Sequence, residues 1–170
     1  ESIIAYTKLS EIGNNEDFVV ELNNVQMGDI LPYFLKDPRL EGQVSGTVDI
    51  INPFGKIQAD ADLKAERFRF NNDSIGLVSI KGNYSAATGD INTEIISDNP
   101  FYEFSSKGKI NLKDAAKPVI NQTVDAKYLK LSILQKYLSV IMTDMKGVAT
   151  GLIEISGDAT KPDLIGNVKL

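Results

Sequence analysis

Most of the chain alternates polar and apolar residues with a period of two, which is typical of β-strands that have one face in water. In residues 56–64 every second residue is apolar, from Ile57 to Leu63, and the residues between them are polar. Clusters of Asn, Asp, Gly and Ser interrupt the alternation at intervals of roughly 8–15 residues. The pattern predicts a mainly β fold in which successive strands form an antiparallel meander.

The alternation changes phase once within the first half of the chain. Leu63 and Phe68 are an odd number of residues apart, yet both belong to the apolar series. A β-bulge adds one residue to one strand of a pair and would keep both side chains on one face. We therefore predict a bulge or tight bend near residues 65–66.

Two stretches, residues 28–36 and 131–142, carry apolar residues at helical rather than strand spacing. They predict two short amphipathic helices that pack against the sheet. Ser132 is a suitable N-cap for the second helix, because its hydroxyl could accept a hydrogen bond from a free backbone N–H.

The helical stretches occupy the same place in an internal repeat. Residues 42–50 match residues 147–155 at a constant offset of 105, and the helical stretches upstream align at an offset of 104. Downstream, residues 57–63 resemble residues 164–170. Such repetition predicts a core that is built by stacking strand units.

This repeat defines the domain organisation that we expect. The chain is a single β-rich segment, 1–170, with repeat copies at about 18–70 and 122–170 and a strand meander at 71–121 between them. The first residue is Glu and strand-like sequence continues to the last residue, so we expect a segment excised from a longer protein.

Glycines recur at matching positions of the two repeat copies. Gly42 and Gly46 correspond to Gly147 and Gly151, and all four lie in strand-like sequence. Glycine inside a strand weakens the strand and often marks a bend or bulge. The series predicts an elongated, strongly curved antiparallel sheet, a half-pipe or β-taco, with one short helix per repeat.

Composition removes several classes of function. The chain contains no Cys and no His, so thiol nucleophiles, Ser–His catalysis and zinc sites of the usual kind are excluded. Its net charge of −5 argues against nucleic acid and against an anionic membrane surface. No apolar run approaches the ~20 residues that span a bilayer.

Asp60 and Asp62 are the residues in the sequence that most resemble a catalytic pair of carboxylates. They lie two residues apart in a predicted strand, so both carboxylates face one side. Because the residues between and around them form the apolar series, we interpret the pair as part of a solvated strand face. We expect neither an enzyme, nor a metal site, nor a cofactor.

The apolar side of the predicted sheet is the remaining candidate site. One interpretation is a closed sandwich core that needs no ligand, and the other is an open groove with an apolar lining. The predicted lining residues are Val44, Val48, Ile50, Ile57, Ala59, Ala61, Leu63, Phe68, Phe70, Ile153, Ile155, Leu164 and Val168.

The repeat resembles the TamB-type translocation and assembly module family and the wider AsmA-like group. Residues 40–50 and 145–155 share the pattern Leu/Met-x-Gly-x-x-x-Gly-x-x-x-Ile, and residues 157–166 resemble the family's Gly…Pro-x-Leu-x-Gly continuation. The first copy departs from this continuation, because residues 52–55 are shorter and place the proline earlier.

The resemblance implies a non-enzymatic segment of a periplasmic protein in a Gram-negative bacterium, with a membrane anchor elsewhere in the parent chain. It implies phospholipid acyl chains in a β-groove, transport of phospholipid between membranes or assembly of outer-membrane proteins, and an Omp85-type barrel as a partner. The alternative is a structural or adhesive β-repeat with a closed core that binds a protein or polysaccharide.

Overall fold

The computed structural model describes residues 1–9, 16–33, 38–114, 116–134 and 146–169. Within these residues ten strands form one antiparallel sheet, and their spatial order is their order in the chain. The strands are β1 (Ser2–Leu9), β2 (Glu16–Gln26), β3 (Leu40–Ile51), β4 (Gln58–Phe70), β5 (Asp73–Ser85), β6 (Asp90–Asn99), β7 (Tyr102–Asn111), β8 (Val119–Lys130), β9 (Val148–Asp158) and β10 (Asp163–Lys169). The predicted fold class, a mainly β chain that forms a curved antiparallel sheet, is confirmed.

The structure describes only the first part of each helical segment that the sequence predicts. Helix α1 (Met27–Ile30) continues as a 3₁₀ turn, Leu31–Tyr33, and the remainder of the first predicted helix lies outside the described residues. Gly28 and Pro32 both fall in this segment, and both residue types disfavour a long helix.

The second predicted helix begins as a 3₁₀ turn, Leu131–Leu134, and its continuation lies outside the described residues. Ser132 lies within this turn, and the helix that it is predicted to cap lies outside the described residues. Its hydroxyl donates a hydrogen bond of 2.7 Å to Asp73 Oδ1, which a sequence pattern cannot reveal across 59 residues.

The register places the apolar residues of successive strands on one side of the sheet, because directly opposed residues share a face. One row of opposed residues crosses nine strands on this side, which we call the apolar face. The row consists of Val20, Val48, Ala61, Gly82, Thr93, Gly108, Gln122, Ile155 and Leu164.

The predicted bulge in β4 is confirmed. The register against β5 shifts between Ala65 and Phe68, and Arg67 within the shift has a φ of 51°. Phe68 consequently packs in the same buried cluster as Ala65. One extra residue therefore keeps the apolar series on one face, as the change of phase in the sequence requires.

The two repeat copies show the same irregularity. The register of β2 on β3 shifts between Leu22 and Val25, and that of β8 on β9 shifts between Ala126 and Leu129. These positions are related by the offset of 104 found in the sequence. At the shift, the hydroxyl of Ser45 in the first copy and the hydroxyl of Thr150 in the second copy each form a hydrogen bond with a backbone group.

Strand pairing relates β4 of the first copy to β10 of the second copy. The offset between these two strands differs by two residues from the offset of the sequence match. Ala59 opposes Ile50 and Leu164 opposes Ile155, so the structural offset is 105. The sequence match paired Ile57 with Leu164. Because the difference is two residues, the same series of residues stays on the apolar face.

Candidate functional site

The structure brings most of the predicted lining residues together on the apolar face. The residues that the register or the core packing places there are Val44, Val48, Ile50, Ala59, Ala61, Leu63, Phe68, Phe70, Ile153, Ile155 and Leu164. Ile57 precedes β4, is 37% exposed, and its carbonyl accepts a hydrogen bond from the Ala86 N–H. The backbone of Val168 pairs with Gly151, and its side chain lies outside the description.

Sequence reasoning missed the central part of this face because it followed the two repeat copies. Strands β5 to β8 contribute a second set of apolar residues between the copies. These residues are Ile80, Tyr84, Ile91, Ile95, Phe104, Ile110, Ile120 and Val124. The period-two alternation of these residues in the sequence could have predicted that they share this face.

The apolar face is divided into a sealed half and an accessible half along the strand direction. The sealed half contains Ala65, Val78 and Ala126, which are at most 1% exposed. The accessible half contains Ala59, Tyr84, Ile91, Ile110 and Ile120, which are all half-buried. Among the described residues, the accessible half is therefore the part of the face that an apolar ligand could reach.

A small polar network helps to close the sealed half. Asp73 Oδ1 accepts hydrogen bonds from the Tyr102 hydroxyl at 2.6 Å and from the Ser132 hydroxyl at 2.7 Å. Burial, and next the hydrogen bond to Asp73, raise the pKa of Tyr102 to about 12. The Lys130 ammonium lies 5.4 Å from the centre of the Tyr102 ring. These contacts join the turn after β8 to the start of β5.

A second polar group lies within the apolar face itself. Gln122, which is 6% exposed, accepts a hydrogen bond of 3.1 Å from Ser106 and donates one of 2.5 Å to Thr93. Its amide therefore reaches from β8 to β6 across Gly108 of β7. We call Gln122, Ser106 and Thr93 the amide bridge. It lies at the boundary between the sealed and the accessible halves.

The opposite, polar face carries a ladder of charged and amide side chains. Asp60 accepts a hydrogen bond of 2.5 Å from Asn83, and Asp62 lies 3.7 Å from Lys81 Nζ. Both carboxylates are exposed. An open depression of about 640 Å³ lies over the backbone of β5 to β8, between exposed Lys and Asn side chains. Most of its lining side chains belong to the polar face, and Gly82, Thr93 and Gly108 of the apolar row line it as well.

No protein-family model matches the chain, and no curated protein and no solved structure matches it. In the described part of the chain, no helix is long and apolar enough to cross a membrane. The same residues contain no group of three or more acidic side chains placed to hold a metal ion. The functional argument therefore depends on the geometry of the two faces of the sheet.

Proposed function

We propose that this chain is a non-enzymatic segment of a cell-envelope protein whose apolar face shields phospholipid acyl chains. Movement of lipid between the two membranes of a Gram-negative envelope is the activity proposed for the parent protein. Assembly of outer-membrane proteins beside an Omp85-type barrel is the related activity that the resemblance to the TamB-type family implies.

The observation that carries the proposal is the accessible half of the apolar face. A closed sandwich would bury its inward aliphatic side chains in the way that the sealed half does. In the accessible half, the row Ala59, Tyr84, Ile91, Ile110 and Ile120 crosses five consecutive strands and stays half-buried. Covering such a row with an acyl chain contributes about 0.8 kcal/mol per buried CH₂.

The direction of the row also fits an acyl chain. Neighbouring strands lie about 4.8 Å apart, so five strands provide an apolar path of roughly 19 Å across the sheet. An acyl chain lying along this path would contact one apolar side chain on each strand and gain about 0.8 kcal/mol per buried CH₂. The exposed carboxylates and ammonium groups of the opposite face keep that side in water.

Photo-crosslinking in cells tests the proposal with matched positions. A photoreactive residue at Ala61 or Tyr84 faces the accessible half, whereas one at the adjacent Asp60 or Asn83 faces the polar side. We expect lipid adducts at Ala61 and Tyr84 and none at Asp60 and Asn83. A probe at the buried Val78 is expected to give no adduct in the folded protein.

Three results would contradict the lipid proposal. Equal adducts on both faces would indicate nonspecific labelling of the sheet. Absence of lipid adducts at every position, in a protein whose unfolding transition is intact, would favour the closed structural or adhesive repeat. Adducts to a protein at Ala61 or Tyr84 would favour a client or barrel partner over lipid.

A further inference from the structure

The amide bridge contains a hydroxyl hydrogen that has no acceptor among the described residues. The Thr93 hydroxyl oxygen accepts the Gln122 N–H at 2.5 Å, and the described part of the chain gives the Thr93 side chain no other hydrogen bond. A threonine hydroxyl carries one hydrogen and can accept and donate at the same time. Because Gln122 acts as the donor in this pair, the hydrogen of Thr93 is available to a further acceptor.

Gln122 holds this hydroxyl in place. Its amide oxygen accepts a hydrogen bond of 3.1 Å from Ser106, so both ends of the buried amide are fixed. Thr93 itself is half-buried and lies on the apolar face. Its hydroxyl is therefore a fixed donor at the boundary of the accessible half. Gln122 acts on a ligand only through Thr93, so we regard it as a positioning residue.

Gly82 leaves space beside Thr93. The two residues are directly opposed on β5 and β6, so they share the apolar face. A β-carbon on Gly82 would lie 3.8 Å from Ala61 Cβ and 3.9 Å from the Asn92 carbonyl oxygen, and both distances are ordinary contacts. Its φ is outside the region that favours glycine. A side chain would therefore fit at this position, and its absence leaves the apolar face open next to the hydroxyl.

The surroundings of Thr93 determine which acceptor is suitable. In β4 to β9, the rows of opposed residues on either side of the amide bridge contain no charged side chain. A carboxylate or a phosphate in this position would lose hydration without gaining a counter-charge. A pure hydrocarbon would cover the hydroxyl and leave its hydrogen unpaired. A neutral carbonyl oxygen avoids both costs.

We infer that Thr93 donates a hydrogen bond to the ester carbonyl of an acyl lipid whose chain lies along the accessible half. The inference rests on the proposed function, because it assigns the polar end of the same ligand. It makes the apolar face selective for acyl esters over alkyl ethers of the same shape and charge.

Two lipids that differ only in their carbonyl groups test this selectivity. The probes are a short-chain diacyl phosphatidylethanolamine and the dialkyl ether with the same chains and headgroup, each below its micelle concentration. In isothermal titration calorimetry, the wild-type chain should bind the ester about tenfold more tightly, because the ether leaves the Thr93 hydrogen unpaired.

The two ways of failing are distinguishable in this experiment. Equal affinity for the ester and the ether would overturn the inference and leave the proposed function standing. Binding of neither lipid would contradict the proposed function, and the inference with it.

Substitutions separate the hydroxyl of Thr93 from its shape. Thr93→Val keeps the branched shape and should lose the preference for the ester, whereas Thr93→Ser keeps the hydroxyl and should retain it. Thr123→Val is the matched control, since Thr123 is exposed on the polar face of β8. Both affinities are measured on one protein, so a loss of stability lowers them alike. A Thr93→Val protein with the full preference would overturn the inference.

Infrared spectroscopy observes the hydrogen bond without any substitution. The ester carbonyl of the diacyl probe is isotopically labelled, so that its stretching band separates from the amide bands of the protein. A hydrogen bond lowers the stretching frequency of a carbonyl group. The band of the lipid bound to the wild-type chain should therefore lie below its position in a hydrocarbon solvent, and an unshifted band would overturn the inference.

Discussion

Gly46 shows how single residues allow β3 and β4 to approach closely. Its φ of 139° is unfavourable for any residue with a side chain, and a β-carbon there would lie 2.1 Å from the Asp62 carbonyl oxygen. Gly151, its counterpart in the second repeat copy, has the same φ of 139°. The recurring glycines of the sequence therefore mark backbone positions that no other residue fills without strain.

The first prediction concerns Gly46→Ala. The added methyl group meets backbone atoms that cannot move without disrupting the β3–β4 pairing, so the free energy of unfolding should fall by about 3 kcal/mol. Urea denaturation measures the change. Gly28→Ala is the control, because its β-carbon would have no atom within 4 Å. Equal stability of the two variants would refute the steric argument.

Tyr102 provides a prediction that depends on pH. Its pKa is raised from 10.0 to about 12, so the folded protein retains the phenolic proton where the unfolded chain has lost it. The stability from this group is complete below pH 10 and is lost as pH rises towards about 12. At neutral pH, Tyr102→Phe should cost about 1 kcal/mol through the lost hydrogen bond.

The difference in unfolding free energy between wild type and Tyr102→Phe should therefore shrink as the pH rises from 10 to about 12. Urea titrations at several alkaline pH values measure it, and the comparison cancels the ionisation of other groups. Tyr33→Phe is the control, because Tyr33 is exposed. A difference that stays constant with pH would contradict the assignment.

At the scale of elements, alternation was sufficient to predict the strands and the bulge in β4. In a strand with one solvent-exposed face, polar and apolar residues alternate with a period of two. A single inserted residue is therefore visible as a change in the phase of this alternation. Only the first part of each predicted helix lies within the described residues. Apolar spacing could not predict the hydrogen bond from Ser132 to a carboxylate 59 residues away.

The amide bridge illustrates a feature that strand patterns do not predict. Gln122 continues the series Ile120, Val124 and Ala126 on the apolar face, where alternation leads one to expect another apolar residue. Its burial is acceptable because Ser106 and Thr93 bond to its amide across Gly108. These partners belong to other strands, so only the register brings them together.

The prediction for this element is that Gln122→Ala lowers the free energy of unfolding by about 2 kcal/mol. The substitution leaves the hydroxyls of Ser106 and Thr93 without their buried partner, and an unsatisfied polar group costs about 1–3 kcal/mol. Chemical denaturation measures the loss.

The control for the amide bridge is the triple variant Gln122→Leu, Ser106→Ala and Thr93→Val. It removes all three polar groups together, so no buried donor or acceptor is left unpaired, and stability should return close to that of the wild type. A triple variant that is less stable than Gln122→Ala would show that volume, rather than hydrogen bonding, determines the effect.

At the scale of the whole molecule, the sequence predicted a curved sheet with one apolar face but not how that face is divided. The division depends on Asp73, Tyr102 and Ser132, which come from β5, β7 and the turn after β8. Contacts between residues so far apart in the chain leave no local pattern. The open or closed state of an apolar face therefore has to be read from the structure.

The meander order has a consequence for how such a chain can change its length. The extensive contacts between strands all join sequence neighbours, so each hairpin can be added or removed without rearranging the strands beyond its own two neighbours. Only an even number of strands preserves the direction of those that follow. Evolution or an engineer could thus lengthen this fold in increments of one hairpin, about 10 Å at a time.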